Sequence, residues 1–117
     1  MLSWLLFISL LSFGQAESKI ELEKHFIDMG IVAVNESKTF ELKVSNKGEG
    51  PLLISEVDPN CSCVKITDFP KELAPKSDGQ IRGYVKSGSA GEVMKNFMLR
   101  SNASNGEQKV VVKARFE

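Results

Sequence analysis

A period-two alternation of apolar and polar residues recurs along most of this chain, and it constrains the fold more than any other feature. Ile20 and Leu22 alternate with Glu21 and Glu23, and Phe40, Leu42 and Val44 alternate with Glu41, Lys43 and Ser45. Ile81, Gly83 and Val85 alternate with Gln80, Arg82 and Tyr84, while Phe97 and Leu99 oppose Met98 and Arg100. Val110, Val112, Ala114 and Phe116 alternate with Lys109, Lys113 and Arg115. Successive side chains of a strand point to opposite faces, so each run sets one face on a core and one in water. Leu52-Leu53-Ile54, leading to Val57, reads as a more heavily buried strand. No segment carries the period of a helix.

Turn residues punctuate these runs: Gly30, Asn46 to Pro51, Asp58-Pro59-Asn60, Pro75 to Gly79, Gly88 to Gly91, and Asn102 to Gly106. Short strands with such punctuation predict an all-β fold, an antiparallel sandwich of about seven strands in two sheets. The antibody type of sandwich is excluded, because it joins its sheets through two distant cysteines packed on a core tryptophan. Here the cysteines, Cys61 and Cys63, are near neighbours, and the sole tryptophan is Trp4.

Trp4 belongs to an uncharged apolar run, Leu2 to Phe13, followed by the small-x-small pattern Gly14-Gln15-Ala16. The run is too short for a span of ~20 residues, so residues 1–16 read as a cleaved secretory signal. Residues 17–117 are then one domain, exported to the periplasm or cell exterior, with no membrane span after cleavage. All fifteen acidic and fifteen basic residues lie in this part, cancel, and interleave without a run of one sign. Nucleic-acid binding draws its affinity from basic stripes, so this mixed surface argues against it, and equally against electrostatic membrane binding.

An ordered set of residues resembles a known family. The set is Phe26-x-x-x-Gly30, Phe40-x-Leu42-x-Val44-x-Asn46-x-Gly48, Pro51-Leu52-Leu53-Ile54, Cys61-x-Cys63, Ala74-Pro75 with Gly79, Gly91, and Ser101-Asn102. It is similar to the bacterial domain of unknown function fifteen seventy-three, akin to the Ig-like modules of major sperm protein and the ASPM/SPD-2/Hydin proteins. The resemblance spans Ile20 to Phe116 and implies an Ig-like sandwich with protein binding as its fold-level expectation. Two positions depart from the family pattern, which has glycine where this chain has Ser62 and Lys76. Glycine often supplies a positive φ, so the backbone at both positions is expected to differ from the family's.

The chemical inventory centres on Cys61 and Cys63. In an extended strand, residues two apart lie about 6.6 Å apart at Cα, near the upper limit for a disulfide. A bridge therefore needs a bend, which the turn signal Asp58-Pro59-Asn60 can supply. Such a bridge would constrain the unfolded chain by only about 1.5 kcal/mol. Three readings stay open: a structural role as buried thiols or an inert bridge, an exchanging disulfide, or a Cu(I) site. Two thiolates cannot complete a structural zinc site, and nothing in the sequence places His25, the only histidine, beside them. Met29, Met94 and Met98 are candidate thioether ligands, although methionines on strand faces mostly fill gaps.

No hydrolase or metalloprotease motif occurs. Asp28, Asp58, Asp68 and Asp78 sit in separate turns and read as solvated or backbone-bonding. Gly88 to Gly91 reads as a hairpin turn, not a phosphate loop. Three sequons occur, at Asn35, Asn60 and Asn102, and the bacterial origin that the resemblance implies leaves them as chance matches. The sequence thus describes an exported module that is not an enzyme, needs no cofactor, and binds an unidentified protein or serves a structural role. A thiol-redox or Cu(I)-binding protein using Cys61 and Cys63 is the alternative. The polar loops holding Asn46, Gly48, Asn102 and Asn105 are the expected binding loops.

Overall fold

The computed structural model describes residues 16–117. Apart from Ala16, the expected signal segment lies outside the described residues. Nine strands build two sheets, and there is no helix among the described residues: β1 (Ile20–Leu22), β2 (Phe26–Val32), β3 (Ser37–Asn46), β4 (Leu52–Asp58), β5 (Val64–Asp68), β6 (Glu72–Leu73), β7 (Asp78–Lys86), β8 (Gly91–Ser101) and β9 (Gln108–Phe116). One sheet has the order β1-β3-β7-β5, the other β2-β9-β8-β4-β6. The sandwich expected from the sequence is present, with the two shortest strands, β1 and β6, raising the count beyond seven.

All pairs are antiparallel except β2 with β9. The parallel pair corrects the wholly antiparallel expectation, and its cause is topological. The chain passes from β2 to β3 in the opposite sheet, and the last strand returns to lie beside β2 in the same direction. Gly88 to Gly91 is likewise not a hairpin, because β7 and β8 belong to different sheets.

The alternation read from the sequence is the core. Leu42, Val44, Ile81 and Val85 from one sheet meet Phe97, Leu99, Val110, Val112 and Phe116 from the other, all buried. The Phe40 and Phe97 rings stack across the sandwich with centroids 6.0 Å apart and planes 12° from parallel. Gly83 makes room for this. It pairs with Phe40 on one side and Ile66 on the other, and a side chain there would run into the Lys65 carbonyl and the Phe40 ring.

At one end of the sandwich the connections are tied by a buried amide. Asn46 is 0% exposed. Its Nδ2 donates to the Gly50 carbonyl at 2.8 Å and the Leu73 carbonyl at 3.0 Å. Its Oδ1 accepts from Gly48 N at 3.0 Å and Lys19 N at 3.3 Å. The backbone of Asn46 bonds Ser77 and Lys76 in the turn after β6. That turn, Ala74-Pro75-Lys76-Ser77, closes with Ser77 N donating to the Ala74 carbonyl at 3.1 Å. Lys76 sits at φ 64°, so this is a type II turn with proline at its first central position and a left-handed second one. The lysine thus keeps the backbone that glycine would serve, contrary to expectation. Its N–H bonds Asn46, and its ammonium bonds the Lys47 carbonyl and pairs with Glu49 at 3.0 Å. Ser62, by contrast, has no positive φ.

Two outcomes are expected. Asn46→Ala leaves two donors and two acceptors without partners in the interior, and should cost at least ~3 kcal/mol, read as a lower denaturant midpoint at unchanged slope. The Asp78 carboxyl is held below its ordinary range, first by a hydrogen bond from Ser45 and then by Lys43, which lies 3.4 Å away. Its stabilisation is present above the ordinary aspartate pKa and is lost as pH falls through the lower folded value. In Asp78→Asn, a stability-against-pH series should show a shallower fall on the acid side.

Candidate functional site

The two cysteines lie on the connection that carries the chain from β4 to β5, from one sheet to the other. Asp58 starts it by accepting from Asn60 N at 3.3 Å, an aspartate turn of the kind its sequence signals. The bend brings the Cys61 and Cys63 Cα atoms to 5.3 Å, and their sulfurs are bonded. Cys63 N donates to Cys61 Sγ at 3.2 Å, and Cys63 accepts from Lys86 N at 2.9 Å, which anchors the loop to β7. Both cysteines are half-buried, and Cys63 packs on the rim of the core.

Beside the bridge lies an open depression of about 350 Å³ lined by Ser62, Cys63, Lys65, Tyr84, Lys86, Ser87 and Gly88. Register places these groups. Lys65 faces Tyr84 across β5 and β7, and Lys86 lies at the end of β7. Neither lysine has a carboxylate within 4.0 Å among the described residues, whereas Arg82 on the same face pairs with Glu41 and Asp68.

No group of three or more histidine, cysteine, aspartate or glutamate side chains could hold a metal ion among the described residues. His25 Nδ1 lies 3.2 Å from the Lys109 carbonyl. Met29 is buried in the core, and Met94 and Met98 face outward from β8 opposite Lys113 and Lys109. None of these lines the depression beside the cysteines. The aspartates serve turns and ion pairs: Asp28 accepts from Gly30 N, and Asp68 and Asp78 pair with Arg82 and Lys43.

Of the two expected binding loops, one turns inward and the other stays exposed. Asn46 is buried, and Gly48 is covered by residues 17–19, so neither projects. Asn102 and Asn105 are exposed, yet their amides bind their own chain. Asn102 Oδ1 accepts from Leu53 N at 2.8 Å and from Ser18 Oγ at 3.1 Å. Asn105 brackets Ile20, accepting from its N–H at 3.1 Å and donating to its carbonyl at 2.8 Å.

The sequence reading missed strand β2. It is an edge strand of seven residues, and it exposes Phe26 (47%) and Ile31 (65%). Both belong to the outer face, where Phe26 lies opposite Val111 and Ile31 opposite Arg115. The missing signal is phase. A bulge between Asp28 and Ile31, with Gly30 at φ 69°, spaces the buried residues Ile27, Met29 and Val32 unevenly.

The two-sheet architecture with its late parallel strand is that of an Ig-like sandwich, and solved structures share it. A protein of unknown function from Porphyromonas gingivalis superposes with TM-score 0.75 at 19% identity, over 84% of this chain and 46% of that one. This chain therefore spans less than half of that protein. The ASH/PapD-like domain 7 of human CEP192 gives TM-score 0.71 at 9% identity, over 86% of this chain and 87% of that one. The VesB protease of Vibrio cholerae gives TM-score 0.63 at 10% identity, over 95% of this chain but 35% of that one. At these identities the likeness shows the fold alone. No curated protein matches. Residues 20–116 match the family described as Protein of unknown function (DUF1573), and the chain belongs to that family.

Removing the bridge tests its structural weight. Cys61→Ser with Cys63→Ser should lower stability by about 1.5 kcal/mol and leave the fold intact by circular dichroism, since the core does not depend on the sulfurs.

Proposed function

We propose that this protein is an exported, non-enzymatic module that binds a protein partner by adding the partner's extended segment to the free edge of β2. The observation that carries this reading is the exposure of Phe26 and Ile31 on an outermost strand. The other edges are shorter: β1 has three residues, β6 two and β5 five. An edge strand offers unpaired backbone groups as a template, and alternate side chains of the incoming strand set specificity. A segment laid along β2 would extend the sheet and cover Phe26 and Ile31 with its own apolar residues. The bulge at Gly30 and the Lys38 ammonium, which bonds the Met29 carbonyl at 2.7 Å, interrupt the edge and limit indiscriminate pairing. Export to the periplasm or cell exterior rests on the apolar leader read in the sequence.

Phe26→Lys with Ile31→Lys should reduce partner capture at least tenfold while shifting stability by no more than about 0.5 kcal/mol per site. Leu53→Lys, at an exposed apolar position on β4, should leave capture unchanged. Capture from exported-protein extracts, followed by affinity measurement on the retained partner, reads both. Equal capture by all three proteins would remove β2 as the docking edge.

A further inference from the structure

At the other edge of the molecule, independently of β2, the structure assigns to the Cys61–Cys63 bridge a second role. We infer that it is an exchange site for a small thiol bearing a carboxylate. Four observations meet there. Cys63, and not Cys61, forms part of the wall of the depression, so a thiol seated there lies beside Cys63 rather than Cys61. Lys65 and Lys86 line the same depression without a carboxylate partner among the described residues, which leaves two cationic heads to receive an anion. Ser62 and Tyr84 add hydroxyl groups to the same lining, whereas the Ser87 hydroxyl donates to the Ser89 carbonyl at 3.0 Å. Cys63 N points its hydrogen at Cys61 Sγ, and a hydrogen bond to the charged form of a group favours that form. Cys61 is therefore the better leaving sulfur, because a thiol of lower pKa leaves faster.

The step balances without another reactant. The thiolate of the small molecule attacks Cys63 Sγ, the Cys61–Cys63 bond breaks, and a mixed disulfide forms on Cys63. The electron pair of the broken bond leaves on Cys61 as a thiolate, which takes a proton from water. A second thiolate of the same kind then attacks the small molecule's sulfur in the mixed disulfide. It leaves the protein with two reduced cysteines and releases the small molecule as its own disulfide. The protein bridge is the oxidant and the small thiol the reductant.

The test uses the oxidised mature protein at low ionic strength with mercaptopropionate, mercaptoethanol and cysteamine. Rates of bridge opening are expressed per thiolate and corrected for thiol basicity. Mercaptopropionate should be roughly fivefold faster than mercaptoethanol, the scale of a surface ion pair, and cysteamine slower than both. The advantage should vanish in Lys65→Gln with Lys86→Gln, and in the unaltered protein at molar salt, where exposed charges are screened. The salt arm needs no variant to fold. Alkylation of the freed thiol followed by peptide mapping should find the adduct on Cys63. Equal corrected rates for the three thiols, an adduct on Cys61, or a bridge inert to all of them would each overturn the assignment.

Discussion

One side-chain amide holds the connections of this sandwich together. Asn46 ends β3 and, from a position without solvent contact, satisfies the loop to β4, the last carbonyl of β6, the turn into β7 and the segment that leads to β1. An amide suits this place because it presents two donors and an acceptor with two lone pairs, and four backbone groups converge on it. An aspartate there would aim a carboxylate at two carbonyls. A leucine would fill the volume and leave every backbone group unpaired. The burial of one polar residue, which costs free energy when it stands alone, here removes four possible costs at once.

With that end tied, the two sheets close on each other through the Phe40–Phe97 stack, and Gly83 gives the ring its seat. The other end of β3 is built differently. Register sets Ser37 against Lys86, the residue that bonds Cys63, so the cystine loop and the Asn46 cluster mark opposite poles of the same strand pair. One pole is dense with backbone hydrogen bonds. The other has an open hollow, two lysines without a carboxylate partner among the described residues, and a short covalent ring. Structural tightness and chemical opportunity are thus separated along the sandwich.

The sheet faces were legible because alternation is a direct readout of strand geometry. Phe40, Leu42 and Val44, and later Val110, Val112, Ala114 and Phe116, are buried as their spacing required. Membership in the family was legible from ordered motifs over the same span. Strand β2 was not, since its bulge breaks the phase on which such reading depends. Nor was the inward turn of Asn46 and Gly48. An asparagine- and glycine-rich loop has one composition whether its amides meet water or the chain's own backbone. The Lys76 position shows a third limit: the turn kept its type II geometry although glycine was absent, because Pro75, Asn46 and Glu49 hold it from three sides.

The parallel pairing of β2 with β9 has a mechanical consequence. Residues 16–20 enter at the Asn46 pole, whereas β9 ends at Phe116, opposite Gly91 and away from that pole. Tension applied between the two ends of the domain would first draw on β1, whose pairing covers three residues. It would then slide β2 against β9 along their shared direction. Hydrogen bonds between strands loaded in this way are sheared together, whereas a hairpin pulled from its open end loses them in turn. Resistance to such tension therefore lies in the contact between an early strand and the last one.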